Sequence, residues 1–213
     1  FAQTLGFPPT VEIAHVRTLE AGLDGVMSDL SPNAVFLAVP RGETQILSRL
    51  TQIGMDLHIL LGEGALTHHK ADKRPLSILL PVHEKLDAER TVTLVSRLSA
   101  LKEKEVILCA LVEVPRALAL AVPASEAVIV SAALEKIAKR LRKDHVKHQI
   151  MIRPVRDFAL GLKNLAKTLS PDLTILDPIT AAEGEKIAAA VLPGIGCDLL
   201  WLTRGGKPGA HPT

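Results

Sequence analysis

Aromatic side chains are nearly absent from this chain. It holds four phenylalanines, one tryptophan and no tyrosine in 213 residues. A surface that stacks bases or sugars wants ring faces, so the scarcity argues against that kind of surface. A strong excess of one charge is also lacking. Lys and Arg number 25 against 23 Asp and Glu, a formal net charge of +2, too little to point to a nucleic-acid partner. No stretch approaches ~18 consecutive apolar residues, so none reads as a membrane span, and no segment reads as a signal peptide. Cysteine is scarce as well. Cys109 and Cys197 both sit inside apolar runs and are expected to be buried thiols in a reducing compartment.

The usual chemical signatures are missing too. There is no Gly-x-x-x-x-Gly-Lys-Ser/Thr loop and no Gly-x-Gly-x-x-Gly opening a helix after a strand. Backbone amides exposed by such glycines are what cradle phosphate. Gly62-Glu63-Gly64 and Gly205-Gly206 follow apolar runs but lead into polar segments, while Gly184 and Gly194-Ile195-Gly196 suit a turn and a helix end. No Gly-x-Ser-x-Gly elbow occurs, and mid-strand cysteines make poor nucleophiles. Glu113, Asp177 and Glu84 fall near strand ends, where a buried or capping role fits better than acid–base work. His68-His69 lie in a polar linker without the spacing of a zinc site. We therefore expect no catalytic residue, no cofactor, no metal and no enzymatic activity.

What the chain has is a 47% hydrophobic content, almost all aliphatic, and an internal repeat. Val16-Arg17, Gly22-Leu23 and Leu30-Ser31-Pro32-Asn33 return as Val155-Arg156, Gly161-Leu162 and Leu169-Ser170-Pro171-Asp172. After a three-residue slip the copies rejoin, Gly54-Met55-Asp56-Leu57 against Gly196-Cys197-Asp198-Leu199. A repeat of this length must be settled before the fold is read.

Periodicity supplies the elements. Helical spacing marks Thr18–Leu30, Glu43–Ile53, Ala88–Leu101, Ser125–Lys143 (with Ser125 as its cap), Asp157–Leu169 and Ala181–Leu192. Between them, unbroken apolar runs read as strands buried on both faces: Ala34–Val39, Leu57–Leu61, Ile78–Val82, Val106–Val114, Ile150–Val155, Leu173–Leu176 and Leu199–Leu202. Alternating strands and helices imply parallel pairing and right-handed crossovers. The expected organisation is the end part of a first α/β unit over 1–64, a linker over 65–75, a complete second unit over 76–206 and a tail over 207–213. The chain opens on Phe1 rather than Met, and we expect it to be a piece of a longer protein. The apolar runs at Leu57–Leu61 and Leu199–Leu202 read as edge strands. An uncovered apolar edge is a liability, so Leu57, Ile59, Leu199 and Trp201 are the candidates for a homodimer interface. The run Lys136, Lys139, Arg140, Arg142, Lys143 reads either as the solvent face of a helix with a basic end or as a contact for anionic lipid head groups or an acidic partner.

The alternation from Ile78 to Leu202 resembles the universal stress protein fold, which implies two tandem three-layer units with mainly parallel sheets, the first incomplete at its start. Nucleotide-binding members of that family carry a Gly-x-x-Gly and Gly-Ser/Thr stretch after the fourth strand. Asp177 to Gly184 lacks it, and His83-Glu84 replace the aspartate usual after the first strand, so the resemblance implies the fold without ATP binding. Gly25 followed by Leu30-Ser31-Pro32-Asn33 and the apolar Ala34-Val35-Phe36-Leu37-Ala38 resembles a turn in the cytosolic C-terminal region of cation–chloride cotransporters. This chain has Ser31 before the proline and Ala34 where that family has threonine. The resemblance implies a regulatory and dimerisation domain on the cytoplasmic side of a membrane, joined to a transmembrane domain that binds the ions. A free-standing tandem stress protein that binds a nucleotide, or the tail of an amino-acid-permease-like transporter, stay open as alternatives.

Overall fold

The aliphatic runs form strands, and all of the described ones join one sheet. The computed structural model describes residues 35–39, 57–61, 75–83, 86, 88–99, 103–177 and 181–202. Gly25, Ser31, Pro32, Asn33, the helices expected at Thr18–Leu30 and Glu43–Ile53, the linker with His68-His69 and the tail lie outside the described residues. The strands are β1 (Val35–Val39), β2 (Leu57–Leu61), β3 (Leu76–Pro81), β4 (Lys104–Glu113), β5 (Lys147–Val155), β6 (Leu173–Leu176) and β7 (Asp198–Leu202). Among the described residues four helices alternate with the strands from β3 onward: α1 (Ala88–Ser99), α2 (Ala124–Lys143), α3 (Phe158–Leu169) and α4 (Ala181–Val191). The sheet order is β1-β2-β7-β6-β3-β4-β5. Every ladder is parallel except the one between β2 and β7.

Helical stripes cover the two faces of the sheet. Val92, Val95 and Leu98 of α1 and Leu134, Ile137, Ala138 and Leu141 of α2 are buried with Ile78, Leu80, Val106 and Leu108 on one face. Leu162 and Ala166 of α3 and Ile187, Ala188 and Val191 of α4 are buried with Leu79, Cys109, Leu199 and Trp201 on the other. Successive strand residues point to opposite faces, which is why Leu199 and Trp201 join one core and Leu200 and Leu202 the other. The result is a three-layer α/β arrangement with helices on both sides.

Several expected boundaries move. Ser125 does not cap α2. Pro123 occupies the cap position with no side-chain bond, in keeping with a ring that pre-sets helical φ and has no amide to lose. β5 begins at Lys147 rather than Ile150. Its only ladder among the described residues is to β4, so its first polar residues lie at an edge where an apolar pattern is not needed. β4 begins at Lys104, whose ammonium is buried and donates to the Val95 carbonyl at 2.8 Å. Burial pushes its pKa down to about 8.

The largest correction concerns the two apolar edges. β2 and β7 pair with each other inside the chain, His58 opposite Leu202, Ile59 opposite Trp201, Leu60 opposite Leu200 and Leu61 opposite Leu199. β1 and β6 hold their other sides. Ile59, Leu199 and Trp201 have no exposed surface left. Neither strand is an open edge, and a second subunit would find no free backbone there. Leu57, at the start of β2, lies opposite Val35 in the β1 ladder.

The ladders also follow the sequence repeat. Val35 lies opposite Leu57, and Thr174 opposite Leu199. These are matching positions of the two copies, across the same three-residue slip. In the antiparallel ladder Ile59 faces Trp201, again matching positions, so the register has a local twofold relation centred on that pair.

Candidate functional site

A parallel sheet opens a crevice where neighbouring strands send their next helices to opposite faces. Here those strands are β3 and β6. β3 leads to α1 on one face, while β6 leads to α4 on the other. At their carboxyl ends lies a cleft of about 540 Å³, within the size range of small-molecule pockets.

Three strand ends form its floor: Pro81 at the end of β3 with His83 beyond it, Leu111 to Glu113 in β4, and Leu176 at the end of β6 with Asp177 beyond it. The first two turns of α2 and α4 and the first of α3 form its walls through Glu126, Ile129, Phe158, Ala159, Glu183 and Ile187. The apolar walls are aliphatic, with Phe158 as the aromatic exception. Polar fastening ties the floor together. The ring Nε2 of His83 donates to the Asp177 carbonyl at 2.7 Å. A carbonyl only accepts, so Nε2 carries the proton, and Nδ1 of a neutral ring is left as an acceptor. Nδ1 is buried without a hydrogen-bond partner among the described residues. Thr91 Oγ1 donates to Asp177 Oδ2 at 3.1 Å, both groups buried.

The electrostatics of the rim are unusual for a nucleotide site. Among the described residues, five carboxylates (Glu113, Glu126, Asp157, Asp177 and Glu183) line the cleft with a single lysine, Lys186. Most belong to helix starts, where the macrodipole favours negative charge. Asp157 caps α3 and accepts from the Leu160 amide at 2.8 Å. Glu113 accepts from the Phe158 amide of the same helix at 2.7 Å. Glu126 and Glu183 sit in the first turns of α2 and α4. Where a phosphate would meet free amides at a helix start, α3 already holds its own carboxylates.

The residues weighed from the sequence fall into place unevenly. Glu113 and Asp177 lie at the cleft as strand-end residues, and Glu113 caps a helix as expected. Glu84 lies outside the described residues. Cys109 is buried in β4, and burial pushes its thiol up to about 12 against the opposing pull of Arg153. Cys197 lies beside the Thr174 hydroxyl at 3.3 Å. The part of His83 and Thr91 in joining the two strand ends was not read from sequence. Neither carries a motif, and the contacts span more than eighty residues. Among the described residues no group of three His, Cys, Asp or Glu could hold a metal ion, and no helix is long and apolar enough to cross a membrane.

No family model and no curated protein matches the chain. Solved structures do. A universal stress protein from Archaeoglobus fulgidus is similar at 11% identity with a TM-score of 0.50, over 64% of this chain and 98% of that one. A universal stress protein from the same organism in complex with dAMP is similar at 12% identity and a TM-score of 0.49, over 60% and 98%. A universal stress protein family protein from Arabidopsis thaliana with AMP bound is similar at 14% and 0.46, over 65% and 97%. At these identities the likeness concerns the fold: the described α/β sheet with its alternating helices is of the universal stress protein kind.

Proposed function

We propose that this chain is a non-enzymatic ligand-sensing domain of universal-stress-protein fold, with its site in the cleft beyond β3, β4 and β6. One observation carries the reading: the cleft sits at the switch point of the sheet, walled by apolar side chains and fastened by His83 and Asp177. Non-enzymatic function is supported by the two inert thiols and by Asp157 and Glu113, which are engaged at a helix start. The ligand class to test first is an adenine nucleoside or mononucleotide, as found in two of the similar structures. The acidic rim favours few phosphates. Calorimetric titration should give affinity falling in the order adenosine, AMP, ATP, with His83→Ala weakening adenosine. Binding of ATP tighter than adenosine would sink this account of the rim. Absence of binding by all three would remove the adenine class.

The finer reading is a cytosolic regulatory domain of a cation–chloride cotransporter. It rests on Gly25 and Leu30-Ser31-Pro32-Asn33 leading into an apolar strand, and a strand does follow at Val35–Val39. A subunit pair would then form through surfaces other than Ile59, Leu199 and Trp201. The adjoining reading frame decides it: a series of membrane-spanning apolar segments supports the transporter, and their absence supports a free-standing stress protein.

A further inference from the structure

The outer surface of residues 115–143 has no role in the core or the cleft fastening, and its composition changes along its length. α2 buries one stripe, Leu134, Ile137, Ala138 and Leu141. At ~100° per residue, its opposite face runs through Val128 and Ala132 and then through Lys136, Lys139 and Lys143, all exposed. The first half of that face is apolar and the second is cationic. Val128 leaves 71% of its surface in solvent. The preceding loop continues the apolar half, with Leu118 56% and Leu120 53% exposed.

This loop is held in place. The Arg156 guanidinium donates to the carbonyls of Val114 at 3.1 Å, Pro115 and Leu118 at 2.9 Å. Leucines at 118 and 120 are therefore presented outward on a braced backbone. At the other end Lys136, Lys139, Arg140 and Lys143 line a groove against Ala88 and Glu89 of α1. Glu89 meets Arg140 at 3.7 Å, which leaves the three lysines as the remaining charge among the groove's described residues. Of the described acids nearby, Glu135 is paired with Arg142 and Asp144 accepts from the Ser96 hydroxyl.

We propose that residues 115–143 dock on an anionic lipid bilayer, with Leu118, Leu120 and Val128 entering the interface and Lys136, Lys139 and Lys143 meeting the head groups. The choice of occupant follows from the chemistry. Protein interfaces concentrate aromatic residues, Met and Arg and are depleted in Lys and Ala. Residues 115–143 hold no aromatic residue, eight alanines, three lysines and three arginines, and of the arginines Arg140 and Arg142 are engaged by Glu89 and Glu135. Lysine is a strongly hydrated point charge on a flexible stem, suited to mobile head groups, whereas planar bidentate recognition calls for arginine. Aliphatic side chains beside a lysine cluster are the composition of an interfacial anchor.

The test is co-sedimentation of the full chain with vesicles of phosphatidylcholine alone and of phosphatidylcholine with phosphatidylserine. Binding is expected only to the second, and it should fall with added salt. The triple change Lys136→Glu, Lys139→Glu, Lys143→Glu should lower the partition roughly tenfold or more. Leu120→Ser with Val128→Ser should lower it several-fold while leaving the salt dependence in place. All five sites are exposed, so unchanged circular dichroism is expected and serves as the check on folding. Equal binding to both vesicles, no binding to either, or triple-variant binding equal to that of the parent overturns the proposal. Capture of the parent by an acidic polypeptide such as polyglutamate, with no vesicle binding, overturns it in favour of an acidic protein partner.

Discussion

The strand pair β1–β2 and the strand pair β6–β7 are built to one pattern and placed in different company. Each pair is parallel, each is joined across matching repeat positions, and the two meet back to back at Ile59 and Trp201. Yet β6–β7 continues into β3, β4 and β5, whereas β1 has β2 alone among the described strands. The difference separates what the repeat encodes from what the surroundings add. Ser170, matching Ser31, ends α3 in the left-handed region at φ 46°. Gly161, matching Gly22, lies where a Cβ would come within 2.5 Å of a methyl of Val155, itself matching Val16. The conserved spacing between copies is thus explained in the second as helix stop and close helix–strand contact.

Three experiments would break or sharpen the comparison. The strongest is Leu60→Pro. It removes an amide from β2 at the seam opposite Leu200 and should cost about 3 kcal/mol or more of local stability. Hydrogen exchange should then show protection lost over 57–61 with the 103–177 region intact. Loss of protection throughout would mean that the two pairs fold only together. Next in size is Gly161→Ala, expected to cost about 1–3 kcal/mol by overpacking against Val155, read from denaturant midpoints. Gly22→Ala should match it if the copies pack alike, and a neutral Gly22→Ala would show that the repeat of sequence is not a repeat of packing. The smallest is Thr174→Val. The first copy has Val35 and Met55 where the second has Thr174 and Cys197, so the hydroxyl–thiol contact belongs to the second alone. Its removal should cost about 0.5–1.5 kcal/mol. A larger loss would make that contact a principal tie between β6 and the approach to β7.

Much of the α/β pattern was legible because burial writes itself into local sequence. The stripe Leu134, Ile137, Leu141 and the runs at Leu173–Leu176 and Leu199–Leu202 needed only periodicity. The first residues of β5 were not legible, since Lys147, His148 and Gln149 carry no apolar pattern and join β4 through its ladder and through polar side-chain bonds such as Gln149 to Glu105. Nor was the seam. Leu57–Leu61 and Leu199–Leu202 each looked like an exposed edge in need of a partner, and nothing local says that each is the other's partner. The cleft was half legible. Its carboxylates stand at strand ends and helix starts, positions that sequence marks. The bond from His83 to the Asp177 carbonyl depends on strand order, which no local pattern carries.

The antiparallel seam has a directional consequence. The carboxyl ends of β3 to β7 lie along one rim of the sheet, and those of β1 and β2 lie along the opposite rim. Molecules arriving at the two rims come from opposite sides of the sheet. Among the described strands the two directions meet at the β2–β7 ladder, with Ile59 opposite Trp201, so that seam is where the two poles of the sheet are joined.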